Sequence, residues 1–323
     1  MADTIKNYLD GHGRSELSNS VIPALLESIA EIGKALRKSH HVALAGSANV
    51  FGDDQLNVDV TSENLVRDAL AKCPSVATAS SEEDPTEKPV GENVSSSKSG
   101  EQYTVAFDPL DGSSIIGANW SVGTIIGIWD GKSALHLPPS EKQIGSILGV
   151  YGPRTTAIVA LRIPGTTGIC LELGLGDNGG QDVQIIRENV QLAKAPFKTR
   201  YFAPANLRAT AESEQYLRLV NHYMEQKYTL RYSGGLVPDV VHALVQGHGI
   251  YLSPVTGASK AKLRRLYELY PVALIVECAG GKAIDPEDGS DILSRTLEGL
   301  DERAGLVCGT AEEVDNAKKA LLG

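Results

Sequence analysis

One octapeptide, Phe107-Asp-Pro-Leu-Asp-Gly-Ser-Ser114, restricts the 323-residue chain more than any other stretch. It continues the β-branched and aromatic run Tyr103–Phe107, which reads as a buried strand. Pro109 fixes its own φ and biases Asp108 toward an extended shape, so the strand leaves its ladder here. Asp108 and Asp111 then turn their carboxylates to one point, and the Leu110 carbonyl, turned out of the ladder, adds a third oxygen. Hard divalent cations take such a shell. Gly112 lets a bound group approach the backbone, and the amides of Gly112, Ser113 and Ser114 sit where a helix would open, a place for an anion. The plain alternative is a strand ending in an Asx-Pro-Gly turn. A bare Asp-x-x-Asp would be read that way, but the full octapeptide after an apolar strand is far more specific.

Three further acidic segments accompany it. Ser81-Glu-Glu-Asp84 follows the small-residue run Val76–Ala79, a strand that would deliver the carboxylates to a sheet end, where sites of open α/β sheets lie. Gly52-Asp-Asp-Gln-Leu-Asn-Val-Asp59 reads otherwise as a turn and a helix cap. Glu268, in Lys262-Leu-Arg-Arg-Leu-Tyr-Glu268, reads otherwise as a helical partner of Arg264 or Arg265.

Apolar spacing predicts an amphipathic helix over 18–38 with Ser18 as cap, a loop over 39–57, and a helix from Thr61, its cap, to Ala71. Residues 84–100, rich in Pro, Glu, Ser and Gly, read as a surface loop. Strands are predicted at 103–107, 124–129, 147–151, 157–163 and 170–173, then turns over 174–180. Helices follow near 210–226 and 238–246, a strand at 250–252, a helix over 260–270 with a second piece over 271–279, a strand at 306–308 and a helix over 312–322. This mixture predicts a layered α/β (α+β) fold of two subdomains, 1–190 and 191–323.

The net charge of −10, from 30 basic and 40 acidic residues, argues against nucleic-acid binding. It leaves room for a phosphorylated ligand, which needs only a local positive cluster and divalent ions. The four cysteines are scattered, with no Cys-x-x-Cys, which suits buried free thiols and argues against a zinc site. No apolar run approaches the roughly 20 residues that span a bilayer, so no membrane partner is expected. The first residues show neither a secretory nor a transit-peptide pattern, so the expected location is cytoplasmic, with a trimmed organellar form left open.

Taken together, and over nearly the whole chain, the four acidic segments with Ser121-Val-Gly-Thr-Ile125 and Tyr228-Thr-Leu-Arg-Tyr-Ser-Gly-Gly235 resemble the fructose-1,6-bisphosphatase family of lithium-sensitive, metal-dependent sugar phosphatases. Several details resemble its sedoheptulose-1,7-bisphosphatase branch: Ile126-Gly-Ile-Trp129, Val150-Tyr-Gly-Pro-Arg-Thr-Thr156, Phe202-Ala-Pro-Ala-Asn-Leu-Arg-Ala-Thr210, Gly234-Gly-Leu-Val-Pro-Asp239 and Ala258-Ser-Lys-Ala-Lys-Leu-Arg264. Leu252-Ser-Pro254 has Ser253 where fructose enzymes carry a tyrosine.

The resemblance implies the sugar-phosphatase fold, with a metal-binding first subdomain and a sugar-phosphate-binding second. It implies hydrolysis of the 1-phosphate of sedoheptulose 1,7-bisphosphate with Mg²⁺, or Mn²⁺ as substitute. Fructose 1,6-bisphosphate is the rival substrate, and a non-catalytic binder the rival class. Metal ligands would be Glu82, Asp108, the Leu110 carbonyl, Asp111, Glu268 and Asp53. Asp59 and Glu83 would take a proton from the attacking water, two like charges that raise one another's pKa toward a useful range. Gly112, Ser113 and Ser114 would hold the 1-phosphate. Asn206, Arg208, Arg231, Tyr232, Gly234, Lys260 and Lys262 would hold the sugar and its far phosphate, although each cation also reads singly as surface charge. The counterpart of Arg231 reaches across from a neighbouring subunit, which implies an oligomer, most simply a homodimer.

The chain departs from the pattern at three places. Gly117 stands where relatives carry an acidic residue. The stretch His41–Val50 lacks the cysteine pair of the plastid enzymes, which excludes thiol control through that pair. Gly13-Arg-Ser-Glu-Leu-Ser18 and Gln102-Tyr103 replace the AMP-binding turn and Lys-Tyr pair of fructose enzymes, so insensitivity to AMP is expected.

Overall fold

The strands from Tyr103 to Leu161 are buried on both faces, not alternately, so their sheet must be covered on both sides. The computed structural model describes residues 3–48, 54–90, 100–176 and 182–323. Among these, an eight-stranded sheet runs in the order Val183–Arg187, Ile169–Leu175, Thr155–Leu161, Gln143–Tyr151, Val122–Asp130, Tyr103–Asp111, Val76–Ser81, Lys88–Pro89. All neighbours are antiparallel except Val76–Ser81 with Tyr103–Asp111. A five-stranded sheet follows the order Thr229–Leu230, Tyr201–Pro204, Ile250–Ser253, Leu306–Gly309, Lys282–Ile284.

Strand periodicity divides the side chains between two cores. Val105, Phe107, Ile126 and Ile147 face the helices Ile22–Lys38 and Asn57–Leu70. Ala106, Ile125, Trp129 and Leu148 face the helices Leu236–Gln246 and Tyr270–Cys278, which lie on the smaller sheet through Ala203, Tyr251 and Leu306. The far face of that sheet packs on the helices Glu214–Glu225 and Ala311–Leu322. The result is a helix–sheet–helix–sheet–helix layering. Two glycines of the sheet let the helices come close on its two faces: a Cβ at Gly149 would meet Ile29 at 2.8 Å, and one at Gly123 would meet Val237 at 2.4 Å.

Several expectations are corrected. Ser18 is no cap; it is buried inside a π-turn, Leu17–Val21, of a helix that already runs from Ser15. The carboxylate of Glu101 caps it instead, accepting from the amides of Glu16 (3.1 Å) and Leu17 (3.3 Å). The stretch 39–57 contains the antiparallel strands Leu44–Ala48 and Asp54–Leu56, and the next helix opens at Asn57, not Thr61. Asp59 accepts from the Leu56 amide at 2.9 Å, whereas Thr61 donates to the Asn57 carbonyl. The first part of the helix expected over 260–270 is instead a loop to Lys262, then Leu263–Arg264 paired with Arg303–Ala304. Helical structure begins at Arg265 in a π-turn and runs unbroken into Tyr270–Cys278, with Pro271, which has no amide to give, directly after the π-turn. The loop expected over 84–100 contains a pairing of Lys88–Pro89 with Val76–Ser81; residues 91–99 lie outside the described residues.

Candidate metal and phosphate site

Parallel pairing places Ser81 beside Phe107, so the two strands deliver Glu82 and Asp108 to one end of the large sheet. The Glu82 amide donates to the Phe107 carbonyl at 3.0 Å. Asp108 is 4% exposed and closes an Asx turn by accepting from the Leu110 amide at 2.9 Å. Asp111 accepts from the Leu236 and Val237 amides at 3.3 and 2.7 Å, the open N-terminus of Leu236–Gln246. Glu268 accepts from the Arg264 amide at 2.5 Å. One carboxylate oxygen each from Asp108, Asp111 and Glu268 lies within 4.8 Å of the other two.

These groups are expensive to leave ionised together. Two unit charges 4.8 Å apart repel by about 3 kcal/mol at an effective dielectric of about 20. Burial, then Glu82, pushes the Asp108 carboxyl well up, and likewise that of Glu268. Burial lifts Asp111 to about 7 against the pull of its two amides. A hard divalent cation relieves all three, and an oxygen-only donor set suits one. The residues therefore fit the expected metal. Glu82 is adjacent but pairs with the buried guanidinium of Arg264, which also reaches Asp301 at 3.3 Å. The sequence offers Arg264 only as a helical partner of Glu268, with nothing local to signal this role. The Leu110 carbonyl accepts from the Ser113 hydroxyl at 3.3 Å, and Asp53 lies outside the described residues.

The two expected proton acceptors lie beside this cluster. Burial, with Asp59 and Glu82 adding, pushes the Glu83 carboxyl up to about 7, while its hydrogen bond from Gln55 pulls the other way. Burial also raises Asp59, which accepts from the Ser113 hydroxyl at 3.3 Å. Gln55, which sequence reasoning passed over, stands in the same acidic segment as Asp59.

Gly112 has φ +104°, a conformation that favours glycine, and a Cβ there would meet Val122 at 2.9 Å. Ser114 borders a cleft of about 930 Å³ that is also lined by Asn206, Arg208, Tyr232, Gly234, Lys260 and Lys262. Arg303 and Ser253 line it too; Arg303 is distant in sequence from every motif and was missed. Asn206 donates its amide to the Pro254 carbonyl at 2.9 Å, so its nitrogen ties the Arg208 segment to the lysine loop. Arg231 does not line this cleft. It lines a neighbouring one of about 740 Å³ with Trp120, Tyr232 and His242, its guanidinium over the Tyr201 ring. Gly117 faces open space, and nothing in the structure explains why it replaces an acid.

Sequence models of the N-terminal and C-terminal domains of fructose-1,6-bisphosphatase match residues 6–178 and 195–322. The chain is 37% identical over 306 residues to the chloroplastic sedoheptulose-1,7-bisphosphatase of Triticum aestivum, covering 93% of this chain and 73% of that one. It is 34% identical over 320 residues to the class 1 fructose-1,6-bisphosphatase of Syntrophotalea carbinolica, covering 98% and 93%. A Toxoplasma gondii crystal structure, provisionally assigned as a sedoheptulose-1,7-bisphosphatase, superposes with a TM-score of 0.82 at 35% identity, covering 93% of each chain.

Proposed function

The chain belongs to the fructose-1,6-bisphosphatase family, and on that premise we propose that it releases the 1-phosphate of sedoheptulose 1,7-bisphosphate in the presence of Mg²⁺. The products are sedoheptulose 7-phosphate and phosphate. One observation carries the reading: a buried carboxylate trio beside the Gly112–Ser114 turn, whose last residue opens onto a cation-lined cleft. Asp108, Asp111 and Glu268, joined by Glu82 and the Leu110 carbonyl, would hold Mg²⁺ or Mn²⁺. When bound, such ions acidify water and stabilise charge on a leaving oxygen. Asp59 and Glu83 take the proton of the attacking water, and a carboxyl near 7 is matched to that task. Gly112, Ser113 and Ser114 hold the reacting phosphate. Arg208, Lys260 and Lys262 fix the far phosphate by charge-assisted hydrogen bonds.

Support for the seven-carbon sugar comes from the Triticum aestivum relative and from small side chains, Ser253, Ala258 and Ser259, along the cleft. The class 1 fructose-1,6-bisphosphatase relatives favour the six-carbon sugar as second reading. Phosphate release from both bisphosphates with Mg²⁺, and with Li⁺ as inhibitor, decides between them: a kcat/KM higher for the six-carbon substrate overturns the first reading.

The reading extends to assembly and control. Arg231 would serve a neighbouring copy, and exposed Trp120, Leu230 and Tyr232 beside it suit a homodimer, which sedimentation tests. Glu101 occupies the helix amides of Glu16 and Leu17 and accepts from the Tyr103 hydroxyl, so millimolar AMP should leave the rate unchanged. Among the described residues no helix is long and apolar enough to cross a membrane.

A further inference from the structure

We propose that Glu63 and Arg67 are positioning residues that hold the acidic turn Ser81–Asp84 in register with Asp59. The helix Asn57–Leu70 carries Asp59, Glu63 and Arg67 at i, i+4 and i+8, hence on one face. Glu63 Oε1 receives both the Arg67 Nε–H and the Ser81 hydroxyl, the latter at 2.9 Å. The Ser81 oxygen accepts in turn from the Asp84 amide at 2.9 Å, while the Ser81 amide donates to the Asp84 carbonyl at 3.1 Å. Arg67 Nη2 lies 3.4 Å from the Asp84 carboxylate, and its guanidinium lies over the Phe107 ring. Lys88 Nζ reaches the same Asp84 oxygen, Oδ2, at 2.5 Å.

This network grips both ends of the turn. Between them lie only Glu82 and Glu83, whose side chains go to Arg264 and to Gln55. Asp59 sits one helical turn before Glu63, so the same pair sets its distance from Glu83. Neither Glu63 nor Arg67 is among the carboxylate trio or the lining of the cleft. An exposed ion pair would contribute little, and a buried one is costly without full partnering. Glu63 is buried and its second oxygen has no hydrogen-bond partner among the described residues, so an apolar pair over Phe107 would serve stability as well. What the charged pair adds is a fixed direction for two carboxylates.

The inference rests on the proposed proton-acceptor and metal roles of Glu83 and Glu82, and its test separates the two ideas. In the full chain, Arg67→Met should lower kcat by about 10–100-fold with KM within about twofold, and weaken Mn²⁺ binding, measured by calorimetry, by about 10-fold. Arg67→Lys should recover most of both losses, and Asp68→Asn, exposed on the same helix, should change neither. If Arg67→Met does not fold, Glu63→Gln carries the test, with kcat falling at a melting temperature close to the parent's. Retention of kcat and Mn²⁺ affinity by Arg67→Met or Glu63→Gln, whatever the melting temperature, overturns the positioning role. A parent that binds Mn²⁺ but releases no phosphate from any sugar bisphosphate sinks the proposed function instead, and the calorimetric arm still decides this one.

Discussion

The carboxylate cluster and the cation-lined cleft beside it are built on opposite plans. Asp108, Asp111 and Glu268 are buried, and each is pinned by a backbone amide: Asp108 by that of Leu110, Asp111 by those of Leu236 and Val237, Glu268 by that of Arg264. Arg208, Lys260, Lys262 and Arg303 are exposed and stand on loops and short elements. Bonds to rigid backbone keep the like charges in place before any cation arrives, which is the preorganisation a chemical step needs. Exposed long side chains grip a phosphate with little strain and tolerate a change in the sugar. The chemistry should therefore be brittle and the substrate range adaptable.

The sharpest break would come at the cluster. Asp108→Asn should lower Mg²⁺-dependent phosphate release by on the order of 10³-fold or more, in a steady-state phosphate assay. Glu83→Gln should cost about 10²–10⁴-fold in kcat. In the parent, kcat/KM should rise with pH through about 7 as the Glu83 carboxyl loses its proton and becomes a base, and Glu83→Gln should flatten that limb. The cleft should answer differently. Lys262→Met should raise KM by about 10-fold, the worth of one charge-assisted bond, with kcat nearly unchanged. Saturating Mg²⁺ should raise the melting temperature by several degrees, roughly 2.7 kcal/mol at a hundredfold excess over Kd, and chelation should reverse it. Ser253→Ala should move kcat/KM by less than about threefold for either sugar; a loss comparable to that of Lys262→Met would break the contrast.

Legibility followed the range of the interactions involved. The strand into Asp108 and the turn through Gly112 are local, and the structure has both. Tyr201–Pro204 and Lys282–Ile284 were not read as strands, because each is short and owes its place to neighbours already paired. The helix expected over 260–270 starts only at Arg265, because apolar spacing was carried back through Lys260 and Lys262, residues that the structure puts on the cleft wall. Glu63 and Arg67 resembled any i,i+4 surface pair, since nothing local says that Ser81 lies underneath.

The amino-acid order alone determined which carboxylates exist, that Asp108 and Asp111 share one turn, and that a glycine and two serines follow them. Those are properties of a few consecutive residues with narrow backbone choices. Only the tertiary structure decided that Glu268 joins them, that the helix at Leu236 supplies amides to Asp111, that Arg264 holds Glu82, and that Glu101 caps a helix 85 residues earlier. Each of these depends on where a distant segment comes to rest. That position is set by the packing of buried faces across whole layers, to which the local sequence around each partner is indifferent.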